Sequence, residues 1–334
     1  MERKLVSIQR IESLEPIVGA DQIVKARVMG WDVVVKKAEF AVGDPCVFFE
    51  IDSVLPDGAP WAEFMRPRGF RVKTARLRGV LSQGLALPVA ILPADAARPA
   101  PDVDLRDLLG VTKYEPELPD SREVAGPFPG AVPKTDEIRL QSALGVLDEL
   151  RGQPFYVTTK CDGTSATYYR APDGAFTACS RNWALAPGPN PVWRAAERHR
   201  LADALPPGFA IQGELCGPGI QRNRLGLTEL ALFVFSVHDV RAGRRLDHGE
   251  LVAFADAHGL ATVPIEEVVT GEPAASYPHS LEHWLERARG LYAGTTNRKE
   301  GIVVRPLTET LSPTLGGRLS FKVINNDFLL KDEA

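Results

Sequence analysis

The sequence predicts an α+β protein: a small N-terminal β-barrel followed by a larger module of antiparallel sheets with flanking helices. Three observations lead there. Gly (29) and Pro (27) are plentiful among the 334 residues, which favours turns over long helices. The N-terminal part carries short β-rich runs bounded by glycine and proline. From Phe128 onward, apolar strands alternate with stretches of helical period. The length suits two domains, since one usually takes roughly 100–200 residues.

In the first module, Ile23–Val28, Trp31–Val35 and Cys46–Ile51 read as strands bounded by Gly30, Gly43 and Pro56. Phe70–Arg78 mostly alternates apolar and basic positions, which on a strand turns Arg71, Lys73, Arg76 and Arg78 toward solvent. Several short strands in this length suggest a closed barrel, and the OB-fold is the leading candidate over residues 1–95. Arg76–Leu85 resembles the corresponding strand of tRNA-binding OB domains. Residues 96–127, rich in Pro, Ala and Asp, read as a linker with one short helix around Asp104–Leu109.

The second module spans 128–334. Ser142–Arg151 reads as an amphipathic helix, with Leu144, Leu147 and Leu150 on one face. Strands are expected at Phe155–Thr159, Ser165–Tyr169, Ala210–Leu215, Leu230–Val237 and Gly301–Arg305, and helices over Val192–Ala204, Gly249–His258 and Ser280–Leu291.

Composition narrows the function classes. No long uncharged apolar run and no apolar leader follows Met1-Glu2-Arg3-Lys4, so neither a signal peptide nor a membrane span is expected. Four scattered cysteines without a C-x-x-C pair argue against a disulfide framework or zinc knuckle and suit the cytoplasm. A net charge of −4 disfavours a nucleic-acid partner taken alone, yet Arg66–Arg78 carries six basic residues and no acid. Such a patch is compatible with phosphate binding.

Chemistry concentrates in a few places. Lys160-Cys161-Asp162-Gly163 follows an apolar strand directly, and Gly163 lets the backbone turn sharply there. A K-x-D-G tetrapeptide is weak alone, with a solvated strand-end lysine as the plain alternative. Its companions strengthen it: Glu214 at a glycine-flanked strand end, the aromatic strand Phe233–Val237, Glu300 just before an apolar strand, and Lys322 on a short strand near the end. His279 and His283, four apart with no third ligand in view, read as surface histidines.

The order and content of these segments resemble the covalent nucleotidyltransferases, the polynucleotide ligases and mRNA capping enzymes. Lys160–Gly163 matches their motif I, Ser180-Arg181-Asn182 motif Ia, Gly213-Glu214 motif III, Phe233–Phe235 motif IIIa, Glu300–Val303 motif IV and the Lys322 strand motif V. The match runs from about Gly130 to the end. An OB-like module before motif I, with a dozen residues after Lys322, is similar to the template-directed RNA ligases of the Deinococcus type, as is the segment Phe128–Gln141. One departure stands out: motif V commonly has two lysines separated by one residue, whereas Lys322 is flanked at that spacing by Ser320 and Ile324.

The resemblance implies an ATP-dependent RNA ligase sealing 3′-OH/5′-phosphate ends through a lysyl-AMP intermediate, at nicks in duplexes with RNA on the 3′-OH side. Lys160 would be the nucleophile and Lys322 a second catalytic lysine. Asp162, Gly163, Arg181, Glu214, Phe235 and Lys322 would bind the nucleotide, with Phe235 stacking on adenine; Glu300 and Glu214 would hold Mg²⁺ or Mn²⁺. Arg71, Lys73, Arg76 and Arg78 would contact a nicked or broken RNA or RNA/DNA duplex, with no membrane and no obligate protein partner implied. A free lysine, with pKa ~10.4, is almost wholly charged at pH 7, so Lys160 is expected to be held neutral by burial and cationic neighbours. The alternatives are a DNA ligase or capping-type enzyme, and an RNA-binding OB protein with a degenerate catalytic domain.

Overall fold

The computed structural model describes residues 4–93, 103–115 and 123–330. The chain divides into two compact units, with the boundary between Glu117 and Leu118.

In the first unit, Ser13–Pro16, Ile23–Val28 and Trp31–Lys36 form an antiparallel meander, and Val6–Arg10, Pro45–Phe49 and Leu85–Pro88 a second antiparallel sheet. Trp31–Lys36 alternates as its sequence demands, burying Trp31, Val33 and Val35. Cys46, Val47, Phe48 and Phe49 are buried in succession, because this strand has core on both faces.

The Phe70–Arg78 run is less regular than its alternation suggests. Only Thr74–Leu77 joins a ladder, a hairpin with Val80–Gln83. Arg78 (φ 51°) and Gly79 (φ 80°) supply the two positive φ angles of its tight turn. Arg66 and Arg68 belong to a 3₁₀ helix, Glu63–Arg68.

Part of the stretch read as a linker packs into this unit: Leu105, Leu109 and Val111 lie in its core, and Thr112–Lys113 pairs with Ser53–Val54. Their apolar spacing outweighs the surrounding Pro and Asp. Another part, Val124–Pro127, pairs with Trp183–Leu185 in the second unit. Residues 96–102 and 116–122 of that stretch lie outside the described residues.

The second unit holds two sheets. In the larger, the strands run in the order Val124–Pro127, Trp183–Leu185, Phe176–Cys179, Thr164–Arg170, Phe209–Cys216, Ala231–Asp239 and Arg244–Arg245, with Ala261–Thr262 parallel to Ala231–Asp239. In the five-stranded sheet the order is Ile138–Arg139, Phe321–Ile324, Gly301–Pro306, Phe155–Lys160 and Ile265–Val269. Each sheet covers its own core with helices: Pro191–Arg198 and His248–Ala257 on the larger, Val146–Leu150 and Leu281–Arg287 on the smaller.

Helix ends follow local chemistry. Ser280 Oγ accepts from the His283 N–H at 3.2 Å and caps Leu281–Arg287. Arg200, at φ 50°, splits the Val192–Ala204 stretch into two helices. The expected helix over Ser142–Arg151 shortens to Val146–Leu150, preceded by a 3₁₀ turn at Leu140–Ser142, so Leu144 stays 39% exposed while Leu147 and Leu150 are buried. His279 and His283 pack around Tyr277 and Trp284.

Candidate active site

Strand Phe155–Lys160 lies inside the five-stranded sheet, between Gly301–Pro306 and Ile265–Val269. Its first four residues are buried, and it becomes half-buried only at Thr159 and Lys160. Cys161-Asp162-Gly163 then carries the chain into Thr164–Arg170 of the larger sheet. This crossing requires glycine. A Cβ on Gly163 would sit 2.2 Å from the Leu215 carbonyl oxygen and 2.8 Å from Glu214 Cγ. The motif I turn is thereby pressed against the strand that carries Glu214.

Beside this crossing lies a cavity of about 370 Å³, within the usual range for small-ligand sites. Its walls include Lys160, Asp162, Gly163, Arg181, Glu214, Phe235, Glu300 and Lys322, which brings together the residues singled out in this module. Thr135, Asp136, Glu137, Gln221, Val263 and Arg305 complete much of the wall.

Lys160 Nζ is 2.7 Å from Glu300 Oε2, and both side chains are about four-fifths buried (23% and 20% exposed). Burial works against the amine's charge, but Glu300 and then Glu214 outweigh it and hold Lys160 above the ordinary lysine value. The expectation of a neutral Lys160 is thus reversed in this arrangement, because its nearest neighbours are carboxylates. Within the cavity wall it is Lys322 that is depressed, brought down to about 8 by burial and next by the charges of Lys160 and Arg139.

The carboxylates are crowded. Burial, with Glu300 and Asp162 nearby, pushes Glu214 up to about 7. Asp162 is raised by burial and by Glu300, against the pull of Arg224, whose Nε lies 3.1 Å away. Asp162, Glu214 and Glu300, neighbours on one cavity, are hard oxygen donors that suit a divalent cation. Among the described residues, no group of three His, Cys, Asp or Glu side chains is arranged to enclose a metal unaided. A cation here would need further oxygens from elsewhere.

Arg181 is exposed and ion-paired with Asp136. Phe233 and Phe235 both pack against Cys161, Cys216 and Val263, and Phe235 also lines the cavity.

Arg305 was not singled out from the sequence, although a lone charge ending the apolar run Gly301–Val304 could have signalled it. It is 3% exposed, and donates to Glu137 Oε1 (2.7 Å), the Phe235 carbonyl (2.8 Å) and Ser320 Oγ (3.0 Å). Burial opposes ionisation of Glu137, but Arg305 and Arg318 bring it down to about 2. Ser320, one of the two positions where the motif V pattern would place a second lysine, accepts from Arg305; a lysine there would set a second cation against the guanidinium.

In the first unit the basic run is answered in space by acids that the sequence places elsewhere. Arg66 pairs with Asp57 and Glu63. Arg71 pairs with Asp52 at 2.6 Å and lies over the Tyr114 ring at 3.4 Å. Lys73, Arg76 and Arg78 are exposed. Among the described residues no helix is long and apolar enough to cross a membrane.

Comparison with known proteins agrees with this architecture. Residues 153–324 match the RNA ligase family, and residues 5–89 match an OB-fold domain. No curated protein matches the chain. Among solved structures, a lysine-to-alanine variant of Naegleria gruberi RNA ligase with ATP and Mn is 33% identical, with a TM-score of 0.80 over 98% of this chain and 99% of that one. The same enzyme with pyrophosphate is 33% identical over 99% of both chains, with a TM-score of 0.80. Its glutamate-to-alanine variant with AMP and Mn is 34% identical over 98% of this chain and 99% of that one, with a TM-score of 0.79. The fold, the cavity and these likenesses agree: the chain belongs to the RNA ligase family.

Proposed function

We propose that this chain is an ATP-dependent RNA ligase of the template-directed, Deinococcus type, sealing a 3′-OH to a 5′-phosphate at nicks whose 3′-OH strand is RNA. One observation carries the reading: Lys160 Nζ stands 2.7 Å from Glu300 in a cavity shared with Glu214, Arg181, Phe235 and Lys322. The similar Naegleria enzyme, solved with ATP, AMP, pyrophosphate and Mn, supports the nucleotide and the metal class. The OB-fold module ahead of the ligase module supports the subtype.

In the first step Lys160 passes its ammonium proton to the neighbouring Glu300 carboxylate, 2.7 Å away, and the freed amine attacks the α-phosphorus of ATP; a P–N bond forms, the P–O bond to pyrophosphate breaks, and pyrophosphate leaves. Lys322 and Arg181 supply the positive charge that the transferring phosphate needs. Glu300 and Glu214 would hold a divalent cation, Mg²⁺ or Mn²⁺, which would supply positive charge that screens the phosphates. Phe235 stacks on adenine, and Asp162 and Gly163 shape the turn that brings Lys160 to the nucleotide. AMP then passes to the 5′-phosphate, and the 3′-OH displaces it to seal the strand.

Lys73, Arg76 and Arg78, with Arg71 behind them against Asp52 and Tyr114, form the nucleic-acid face of the OB module. The OB-like module is assigned to 1–95, with Leu105, Leu109 and Val111 packed into its core, and the nucleotidyltransferase to 128–334, to which Val124–Pro127 adds a strand. A cytoplasmic site of action fits four free, buried cysteines.

Nicked duplexes that differ only at the 3′-OH strand test the substrate. The RNA 3′-OH nick should be sealed at least tenfold faster than its DNA counterpart with ATP and Mn²⁺. Equal rates on both would discard the RNA-end specificity, and sealing driven by GTP but not ATP would discard the nucleotide assignment.

A further inference from the structure

Tyr292 lies on the stretch between helix Leu281–Arg287 and strand Gly301–Pro306, and its ring is 4% exposed. It is not part of the cavity wall. Its hydroxyl donates to the Lys160 carbonyl oxygen at 3.0 Å and accepts from the Glu300 N–H at 3.1 Å. These two main chains carry the side chains whose Nζ and Oε2 meet at 2.7 Å.

The location matters because the strand pairing ends there. Lys160 opposite Gly301 is the last rung between their two strands. Beyond it the Lys160 chain leaves for the other sheet, while the Glu300 chain comes from the Tyr292 loop. Glu300 is held on its other side by Asn325, whose N–H donates to the Glu300 carbonyl at 2.9 Å. Tyr292 is itself fixed, donating its N–H to the Asn297 carbonyl at 3.0 Å and accepting at its own carbonyl from the Thr295 N–H at 3.1 Å. One hydroxyl, used in both directions, therefore spans the fork between the strands. A phenylalanine would keep the ring packing and lose only this bridge, leaving one buried donor and one buried acceptor apart.

We infer that Tyr292 is a positioning residue for lysine adenylylation: its hydroxyl ties the main chain of the nucleophile to that of its partner carboxylate and sets the approach of the two side chains. The inference rests on the reading of Lys160 as nucleophile. Near-attack geometry is sensitive, so a displacement on the order of 1 Å can slow a step up to about a hundredfold.

The test is the rate at which labelled AMP becomes attached to the protein, measured against ATP concentration in Mn²⁺. Tyr292→Phe should lower the rate at saturating ATP about ten- to a hundredfold, with the half-saturating ATP concentration changed less than about threefold. Tyr168→Phe is the matched control. It removes another buried tyrosine hydroxyl bond, 2.9 Å to the Val192 carbonyl in the core of the larger sheet, and should label at nearly the wild-type rate. A wild-type rate for Tyr292→Phe, a loss confined to ATP affinity, or an equal loss in Tyr168→Phe would each overturn the positioning role. Undiminished labelling of Lys160→Ala would instead overturn the nucleophile reading beneath it.

Discussion

Lys322 shows how a functional residue can work against the fold that holds it. Its amine is lowered from 10.5 to about 8 by burial first and Lys160 next, so at pH 7 the folded protein keeps a charge it would more readily discard. Between about pH 8 and 10.5 the unfolded chain binds one more proton than the folded one, and stability on this account rises with pH through that window. Lys322→Met should therefore stabilise the protein at pH 7 by on the order of 2 kcal/mol, with the gain shrinking toward pH 10, in urea melts at both values. The same variant should lose lysyl-AMP formation. Glu214 runs the other way. With its carboxyl at about 7, its contribution falls as pH rises from about 4.5 to 7, so Glu214→Gln should gain stability relative to wild type across that range.

Residues are legible where the chain itself marks them. Lys160 ends its strand, Glu300 directly precedes one and Glu214 comes two residues before the end of Phe209–Cys216, each near a glycine (Gly163, Gly301 and Gly213), and this local pattern carries the chemistry in the sequence. Arg305 shows in the sequence only as a lone charge after an apolar run, and Tyr292 not at all, because their meaning lies in partners 168 residues away (Glu137) and 132 residues away (Lys160). The charge state of Lys160 departs from expectation for the same reason: only the fold sets Glu300 against it.

At the scale of elements, two glycines should behave oppositely. Gly163 has no room for a methyl group between the motif I turn and the Leu215 carbonyl, so Gly163→Ala should cost about 2–4 kcal/mol and abolish labelling. Gly249, in the first turn of helix His248–Ala257, meets nothing within 4 Å, and Gly249→Ala should raise stability by up to about 1 kcal/mol with activity unchanged. Thermal melts beside labelling assays separate the two. Apolar runs mark the central strands closely, Phe155–Thr159 expected against Phe155–Lys160 observed. Helices are less secure. Leu144, Leu147 and Leu150 share a three-residue spacing, yet Leu144 lies before the helix that begins at Val146, and Arg200 divides a stretch whose composition is helical throughout.

For the whole molecule, two modules with separate cores imply separable tasks. If the OB unit tracks phosphates, Lys73→Glu together with Arg78→Glu should weaken binding to a nicked duplex. The salt dependence should flatten by about 0.7–0.9 in log–log slope for each phosphate no longer neutralised. Lysyl-AMP formation should remain at the wild-type level, because neither side chain lines the nucleotide cavity. Loss of both activities together would deny this division of labour. The basic run is visible in the sequence, but its neutralisation is not: Asp52 and Asp57 reach Arg71 and Arg66 only after folding, and they leave Lys73, Arg76 and Arg78 as the exposed positions.

The most direct measurement incubates the protein with ATP labelled at the α-phosphate and Mn²⁺, separates it under denaturing conditions, and maps the labelled peptide. The account predicts one labelled lysine, Lys160, with no label in Lys160→Ala. Label attached elsewhere, or retained in that variant, would contradict it.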